Sequence, residues 1–149
     1  MVASSKETIE VIPVLGFCTL KRFDLADRLL ASIDYPIEHL VVVDNSGLQT
    51  WTPTKPDCVG KLWTIRVPFG LGLVGAWNLI VKSTPYAPYW VLVNDDAWFE
   101  AGSLEKIANE DNHDFLADTA ANPRGTLTRR GNCAINCFIM VYQQTYFLV

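Results

Sequence analysis

The sequence predicts a single α/β domain in which a mostly parallel β-sheet is covered by helices on both faces. Short runs of β-branched and apolar residues alternate with segments whose apolar residues recur at helical spacing. The predicted strands are apolar along most of their length, which is typical of parallel strands buried on both faces. The chain has 149 residues, of which 50% are hydrophobic and 19% charged. This is enough for one core and argues against extended disorder, so residues 1–149 are expected to form one domain.

Strands and helices are predicted in alternation along the chain. The predicted strands cover residues 11–18, 39–43, 61–67, 89–93, 113–119 and 133–142. The predicted helices cover residues 23–34, 70–83 (after a glycine-rich turn) and 102–109, and residues 143–149 are expected to start another. Leu73, Trp77 and Ile80 have the spacing of one buried helix face, and Ser103 is expected to cap the third helix.

Charge and cysteine content narrow the classes of function. Twelve Lys and Arg against sixteen Asp and Glu give a net charge of −4, which argues against a nucleic-acid partner. The apolar runs are shorter than the about 20 residues of a membrane helix, and no secretory signal precedes the first strand, so no membrane span and a cytoplasmic location are expected. The cysteines lack the spacing of a zinc site or a redox pair and are expected to be reduced, structural thiols: Cys18, Cys58, Cys133 and Cys137.

Polar residues follow several of the predicted strands. Because ligands of parallel α/β sheets bind at the carboxyl ends of the strands, these residues are the candidate site. They are residues 19–22, 44–47, 70–75 and 94–96.

The third of these segments matches the pattern GxGxxG through Gly70, Gly72 and Gly75, with Asp95 about 20 residues further on. This spacing is that of the dinucleotide-binding fingerprint and allows an NAD-dependent oxidoreductase as one alternative. The motif follows the third predicted strand, however, whereas the fingerprint belongs to the first strand–helix turn. The other interpretations are a loop that needs small residues, and a helix N-terminus that approaches an anionic ligand.

The tripeptide Asn94-Asp95-Asp96 ends an apolar strand. Two adjacent carboxylates repel each other, and a bound cation would relieve this repulsion. Mg²⁺ and Mn²⁺ prefer carboxylate oxygens and commonly bridge to substrate phosphates. Adjacent side chains of a strand point to opposite faces, so one metal ligand is expected rather than two unless the backbone turns. The alternative is a solvated turn at the end of the strand.

Taken in order, these segments resemble the family-2 glycosyltransferases, which have the GT-A fold. The resemblance extends along nearly the whole chain, through residues 13–22, 41–47, 70–78, 91–96 and 137–142. It implies a nucleoside-diphosphate sugar as the donor, a Mn²⁺ or Mg²⁺ ion as the cofactor, a saccharide or other hydroxyl as the acceptor, and transfer with inversion.

The resemblance also implies a role for each matched residue. Thr19, Arg22 and Asp44 would hold the nucleoside, and Asp95 would contact the ribose. Asp96 would bind the divalent cation that bridges the two phosphates. The acidic motif is Asn-Asp-Asp here, whereas the family has Asp-x-Asp.

The segment that carries Gly70, Gly75 and Asn78 would lie beside the diphosphate. The family's general base follows the helix that residues 143–149 are expected to begin, and no residue of this sequence matches it. The chain is therefore expected to be short on the acceptor side. A second alternative follows, in which the chain is a nucleotide-sugar-binding module that performs no transfer alone.

Overall fold

The computed structural model describes residues 10–68, 70–109, 116–118 and 139–143, the last two ranges as backbone. In chain order the elements are β1 (Ile12–Thr19), α1 (Phe23–Ala31), β2 (Ile37–Asp44), β3 (Val59–Arg66), α2 (Gly72–Ser83), β4 (Tyr89–Asn94), α3 (Ser103–Ala108), β5 (Leu116–Asp118) and β6 (Ile139–Gln143).

The strands form one sheet in the order β3-β2-β1-β4-β6-β5. The first four strands of that order are parallel to one another, β6 runs antiparallel to β4, and β5 runs antiparallel to β6. This confirms the predicted α/β class and the mostly parallel sheet. The chain proceeds from β1 outward to β2 and β3 and then returns to place β4 on the other side of β1. The strand order therefore reverses between β1 and β4, which is where open α/β sheets have a crevice at their carboxyl edge.

Helices cover both faces of the sheet, as predicted. On one face Leu29 of α1 and Leu104 of α3 pack in the same buried cluster as Phe17 of β1. On the other face Ile80 of α2 packs with Trp90 of β4. Neighbouring residues of a strand alternate between the two clusters, so the central strands are apolar along their length because both of their faces are covered.

Helix α2 approaches β1 closely at Gly16. A Cβ atom built on Gly16 would lie 2.6 Å from Cγ2 and 2.9 Å from Cδ1 of Ile80. Any larger residue would displace the Ile80 side chain, which is fully buried. Gly16 therefore sets the distance between the sheet and this helix.

Three local predictions were wrong. Leu73 is 42% exposed, because it lies in the first turn of α2 beside the strand ends, and Ala76 takes its place in the core. Ser103 is the first residue of α3 and not its cap. The cap position belongs to Gly102, whose φ of +83° glycine adopts without strain. Gln143 ends β6 and does not start a helix.

Other boundaries differ by a few residues. Helix α1 ends at Ala31 rather than Asp34, with Ser32 in the C-cap position and its hydroxyl donating to the Leu29 carbonyl at 2.7 Å. The remaining predictions for residues 113–115, 119, 133–138 and 144–149 lie outside the described residues. Within the described residues, no helix has the length and apolar character needed to cross a membrane.

Candidate functional site

The carboxyl ends of the parallel strands meet in a row of polar residues. Thr19 at the end of β1 is paired in register with Asp44 at the end of β2, and Asp44 is paired with Arg66 at the end of β3. On the other side of β1, Cys18 is paired with Asn94, so Asp95 follows next to Thr19. The sheet thus brings Thr19, Asp44 and Asp95 together at the strand-order reversal, although 76 residues separate the first from the last.

Two of these side chains are buried with an unsatisfied polar atom. Thr19 and Asp44 are each 1% exposed. Oδ1 of Asp44 accepts hydrogen bonds from the Ser46 amide at 3.0 Å and the Ser46 hydroxyl at 2.6 Å. Oδ2 of Asp44 and Oγ1 of Thr19 form no hydrogen bond with the described residues. Buried polar atoms are nearly always hydrogen-bonded, so two such atoms on neighbouring strand ends are ready to contact a ligand.

Asp95 and Asp96 lie on a turn that begins where β4 ends. The amide of Ala97 donates to the carbonyl of Asn94 at 3.2 Å, so the two carboxylates do not lie on opposite faces of a strand. Asp95 is half-buried and Asp96 is exposed. One metal ligand is expected only if the two aspartates continue the strand. Because the backbone turns here, both carboxylates remain candidate ligands.

The electrostatics of Asp95 favour a bound cation. Burial raises the pKa of Asp95, and the charge of Asp96 raises it further. The nearby Thr19 hydroxyl lowers the pKa, although its oxygen forms no hydrogen bond of regular geometry. The ionised Asp95 is thus under-compensated by the described residues.

The glycine-rich segment is tied to the same edge. The amide of Leu71 donates to Oδ1 of Asn45 at 2.8 Å, and Asn45 is the residue that follows β2. Helix α2 then begins at Gly72, which has a φ of +73°. This buried asparagine was not singled out in the sequence, although it lies inside the predicted turn at residues 44–47.

The glycines of this segment differ from those of a dinucleotide fingerprint in one respect. In the fingerprint, the third glycine allows close packing of helix against strand. Among the described residues, a Cβ atom on Gly75 would approach only Cβ of Leu71, at 3.1 Å, and a Cβ atom on Gly70 would lie 3.9 Å from the carbonyl oxygen of Asn45, an ordinary contact. The close helix–strand approach is made by Gly16 instead.

Two predicted site residues lie apart from this cluster. Arg22 is exposed and binds Asp24 through two hydrogen bonds of 3.1 and 3.0 Å, which raise the pKa of Arg22, with a smaller contribution from the charge of Asp95. Asn78 is exposed, six residues after the start of α2, or about 9 Å along the helix. No contact among the described residues joins Asn78 to Asp44 or Asp95.

The donor set of the acidic turn suits one type of metal site. Among the described residues, no group of three or more His, Cys, Asp and Glu side chains comes together. Among the described residues, Asp95 and Asp96 therefore supply at most two protein ligands to a metal ion. They fit the sites in which Mg²⁺ or Mn²⁺ is held by one or two carboxylates, water and substrate phosphates.

Two of the four cysteines, Cys18 and Cys58, lie among the described residues. Cys18 and Cys58 are free thiols, and burial together with the charge of Asp95 raises the pKa of Cys18 to about 11. Cys18 is therefore protonated and unreactive at neutral pH, as expected for a structural thiol. Cys133 and Cys137 lie outside the described residues, as does the basic loop at residues 122–132.

Helix α1 and the residues just after it hold the segment that contains and follows the acidic turn, a contact that the sequence does not predict. Nη2 of Arg28 donates to the carbonyl of Asp96 at 2.9 Å, and the Phe99 amide donates to Oγ of Ser32 at 2.9 Å. The Gly102 amide donates to Oδ2 of Asp34 at 3.2 Å. These bonds join residues 67 or 68 positions apart, and nothing in the local sequence pattern indicates them.

The fold and the site define an α/β protein with a row of polar side chains at the strand-order reversal, two of which have an atom left unsatisfied by the described residues. Comparison of the chain with protein-family models, curated proteins and solved structures finds no significant match. The chemistry of these side chains is therefore the basis for a proposed function.

Proposed function

We propose that the chain binds a nucleoside-diphosphate sugar at the carboxyl edge of its sheet, together with Mn²⁺ or Mg²⁺, and acts as a glycosyltransferase of the family-2, GT-A type. The observation that carries the proposal is a pair of buried atoms beside the acidic turn, Oγ1 of Thr19 and Oδ2 of Asp44, that form no hydrogen bond with the described part of the chain. The nucleoside part of such a ligand offers N–H and hydroxyl groups to Thr19 and Asp44. The diphosphate part carries the cation that the acidic turn would bind. One elongated ligand would thus satisfy both parts of the site.

The sheet supports this proposal. The site lies where the strand order reverses, and α2 starts at the same edge with its free backbone N–H groups.

The nucleoside end centres on Asp44. Its Oδ1 is occupied by the two donors of Ser46, which fixes the carboxylate plane and leaves Oδ2 to accept an N–H from a base. A carboxylate oxygen pairs with an N–H donor of a base, such as the ring N–H of uracil or guanine, and is left unpaired by a ring nitrogen that only accepts. The Thr19 hydroxyl, next to it in register, would accept or donate at the same ligand.

The cation end centres on Asp95 and Asp96. The exposed Asp96 carboxylate would bind the ion, and the half-buried Asp95 would contact the ribose or share the ion. When bound, the ion supplies Lewis-acid stabilisation of the charge that develops on the nucleoside diphosphate as it leaves. The part of the protein in this step is to hold the diphosphate in a fixed position near the start of α2.

Calorimetry with UDP and GDP tests the binding proposal. We expect one of the two to bind about tenfold tighter or more in Mn²⁺ than in EDTA, a difference of about 1.4 kcal/mol. Asp96→Ala is expected to remove the metal dependence, whereas Asp57→Ala, at an exposed carboxylate before β3, is the matched control and should retain it.

Asp44→Asn tests the nucleoside end. The substitution nearly preserves shape and can keep an acceptor toward Ser46, but it places an amide donor against the N–H of the base. We expect nucleoside affinity to fall in EDTA as well as in Mn²⁺. Unchanged affinity in both conditions would contradict the assignment of Asp44.

An assay for release of nucleoside diphosphate from sugar nucleotides, in the presence of candidate acceptors, distinguishes a transferase from a binding module. Release supports the transferase. Donor binding without release supports the binding module. Binding of NADH with no effect of metal, and no binding of UDP or GDP, would support the oxidoreductase and reject the proposal.

A further inference from the structure

We propose that Arg28 is a positioning residue for the cation-binding turn. It fixes the backbone at Asp96 and thereby sets the direction of the Asp96 carboxylate. This inference rests on the proposed function in one respect, namely that a divalent cation binds at this turn.

The segment that carries the turn depends on α1 for its position. Residues 95–102, between β4 and α3, form turns and irregular backbone. Three hydrogen bonds from the α1 region reach it, made by Arg28, Ser32 and Asp34. Arg28 makes the bond nearest to the two carboxylates, and its bond is the only one of the three that involves Asp96.

One guanidinium makes two contacts at once. Its Nη2 donates to the Asp96 carbonyl at 2.9 Å, while its Cζ lies 4.3 Å from the centre of the Trp98 ring. A planar, delocalised group can stack on an indole and donate in its own plane at the same time, which a lysine ammonium cannot do. Arg28 therefore fixes residues 96 and 98 together.

The contact is with the main chain and not with the acid. Arg28 donates to the carbonyl of Asp96, and no ion pair between Arg28 and the Asp96 carboxylate occurs among the described residues. The carboxylate therefore remains available to a cation. The positive charge of Arg28 itself repels a cation at this site, so its presence there is explained by geometry and not by electrostatic attraction.

This conflict between charge and geometry makes the proposal testable. If Arg28 acted only through its charge, Arg28→Gln would strengthen cation binding. If it acts by positioning, the same substitution weakens binding despite the lost repulsion. Arg28→Lys keeps the charge and loses the combined stacking and in-plane donation, so it should also weaken binding.

The experiment measures Mn²⁺ affinity of the full chain by electron paramagnetic resonance of free Mn²⁺, in the presence of saturating UDP or GDP. We expect Arg28→Gln to raise the Kd for Mn²⁺ about tenfold, which is the usual effect of losing a group that orients a metal ligand. Arg28→Lys should raise it by less. Tyr35→Phe is the control, because it removes a comparable bond, from the Tyr35 hydroxyl to the Glu10 carbonyl at 2.6 Å, at the opposite edge of the sheet.

The outcomes separate this inference from the proposed function. Wild-type binding of Mn²⁺ with equal or tighter binding by Arg28→Gln would overturn the role of Arg28 alone. No binding of Mn²⁺ by the wild-type protein would overturn both proposals. A weaker affinity in both Arg28 variants, with nucleotide affinity in EDTA unchanged and Tyr35→Phe like the wild type, supports the positioning role.

Discussion

The two ends of the same parallel strands differ in how fully their polar groups are bonded. At the amino edge the Ile12 amide donates to the Pro36 carbonyl, and the Ile37 amide donates to the Cys58 carbonyl. At the carboxyl edge, two buried side chains keep an unsatisfied atom, those of Thr19 and Asp44. The polar groups named at the amino edge are hydrogen-bonded within the fold. At the carboxyl edge, two buried side-chain atoms form no hydrogen bond with the described residues.

This difference has a cost. An unsatisfied buried polar group destabilises a fold by about 1–3 kcal/mol, against a total stability of about 5–15 kcal/mol for a domain. Asp44 accepts hydrogen bonds at Oδ1, and its Oδ2 has no partner among the described residues, which supports the proposed contact with a nucleoside. The comparison between the edges thus predicts that substitutions at the two ends will affect stability in opposite ways.

The largest loss of stability is expected for a substitution in the middle of strand β1, at Gly16. Gly16→Val would force new methyl groups into the 2.6 Å approach to Ile80 and should destabilise the protein by about 1–3 kcal/mol. Urea unfolding followed by tryptophan fluorescence measures the loss. Adding Ile80→Ala should recover part of it, and strict additivity of the two losses would show that this contact is not the cause.

At the amino edge we expect a smaller loss. Tyr35→Phe removes the hydrogen bond to the Glu10 carbonyl and should lower the free energy of unfolding by about 0.5–1.5 kcal/mol. Nucleotide affinity should not change, because Tyr35 lies at the opposite end of the sheet from Asp44. An unchanged stability would show that the hydrogen bond from Tyr35 to the Glu10 carbonyl does not stabilise the amino edge.

Substitution of Asp95 at the carboxyl edge should raise the stability of the fold, and the gain should depend on pH. Its pKa is raised in the folded state by burial, so the folded protein retains a proton that the unfolded chain has already released. Stability contributed by this group is therefore lost as pH rises from 3.8, the ordinary pKa of an aspartate carboxyl group, through the raised pKa of the folded state. Asp95→Asn should be more stable than wild type at pH 7, and this advantage should vanish below the pKa of the unfolded state.

Thermal melts of both proteins between pH 3 and 8 would measure this difference. An Asp95→Asn variant that is less stable at neutral pH would show that the carboxylate is well compensated, and would weaken the case for a cation.

Thr19→Val should have the smallest effect on stability. The substitution is nearly isosteric and removes a buried hydroxyl that makes no hydrogen bond with the described residues, so we expect a change within about 1 kcal/mol, toward higher stability. Nucleotide affinity should nevertheless fall. A clear loss of stability would mean that the hydroxyl is bonded in the protein, and the contrast between the two edges would fail at that residue.

The sequence predicts the fold and the row of strand ends for one physical reason. Apolar runs specify strands buried on two faces, and parallel strands necessarily bring their carboxyl ends to one edge, so Thr19, Asp44 and Asp95 could be placed together without a structure. The placement of Leu73 failed because helical spacing identifies a face but does not say how far the sheet extends beneath it.

The contacts of Arg28 and Asn45 could not be predicted. Arg28 bonds to a main-chain carbonyl 68 positions away, and main-chain atoms carry no sequence signature. Asn45 reaches an amide 26 positions away, across a loop whose path depends on the whole sheet. Long-range bonds of this kind follow from tertiary packing and not from local pattern.

The stacking of Arg28 on Trp98 also gives the protein an internal optical reporter. Indole emission responds to a charge close to its ring, and the guanidinium lies 4.3 Å from the centre of the ring of Trp98. A cation that binds at Asp96 would alter the local field around this indole and move the backbone to which the guanidinium is bonded. We expect Mn²⁺ or Mg²⁺ binding to change the fluorescence of the wild-type protein and to leave a much smaller change in Trp98→Phe. Occupancy of the acidic turn could then be followed without a label.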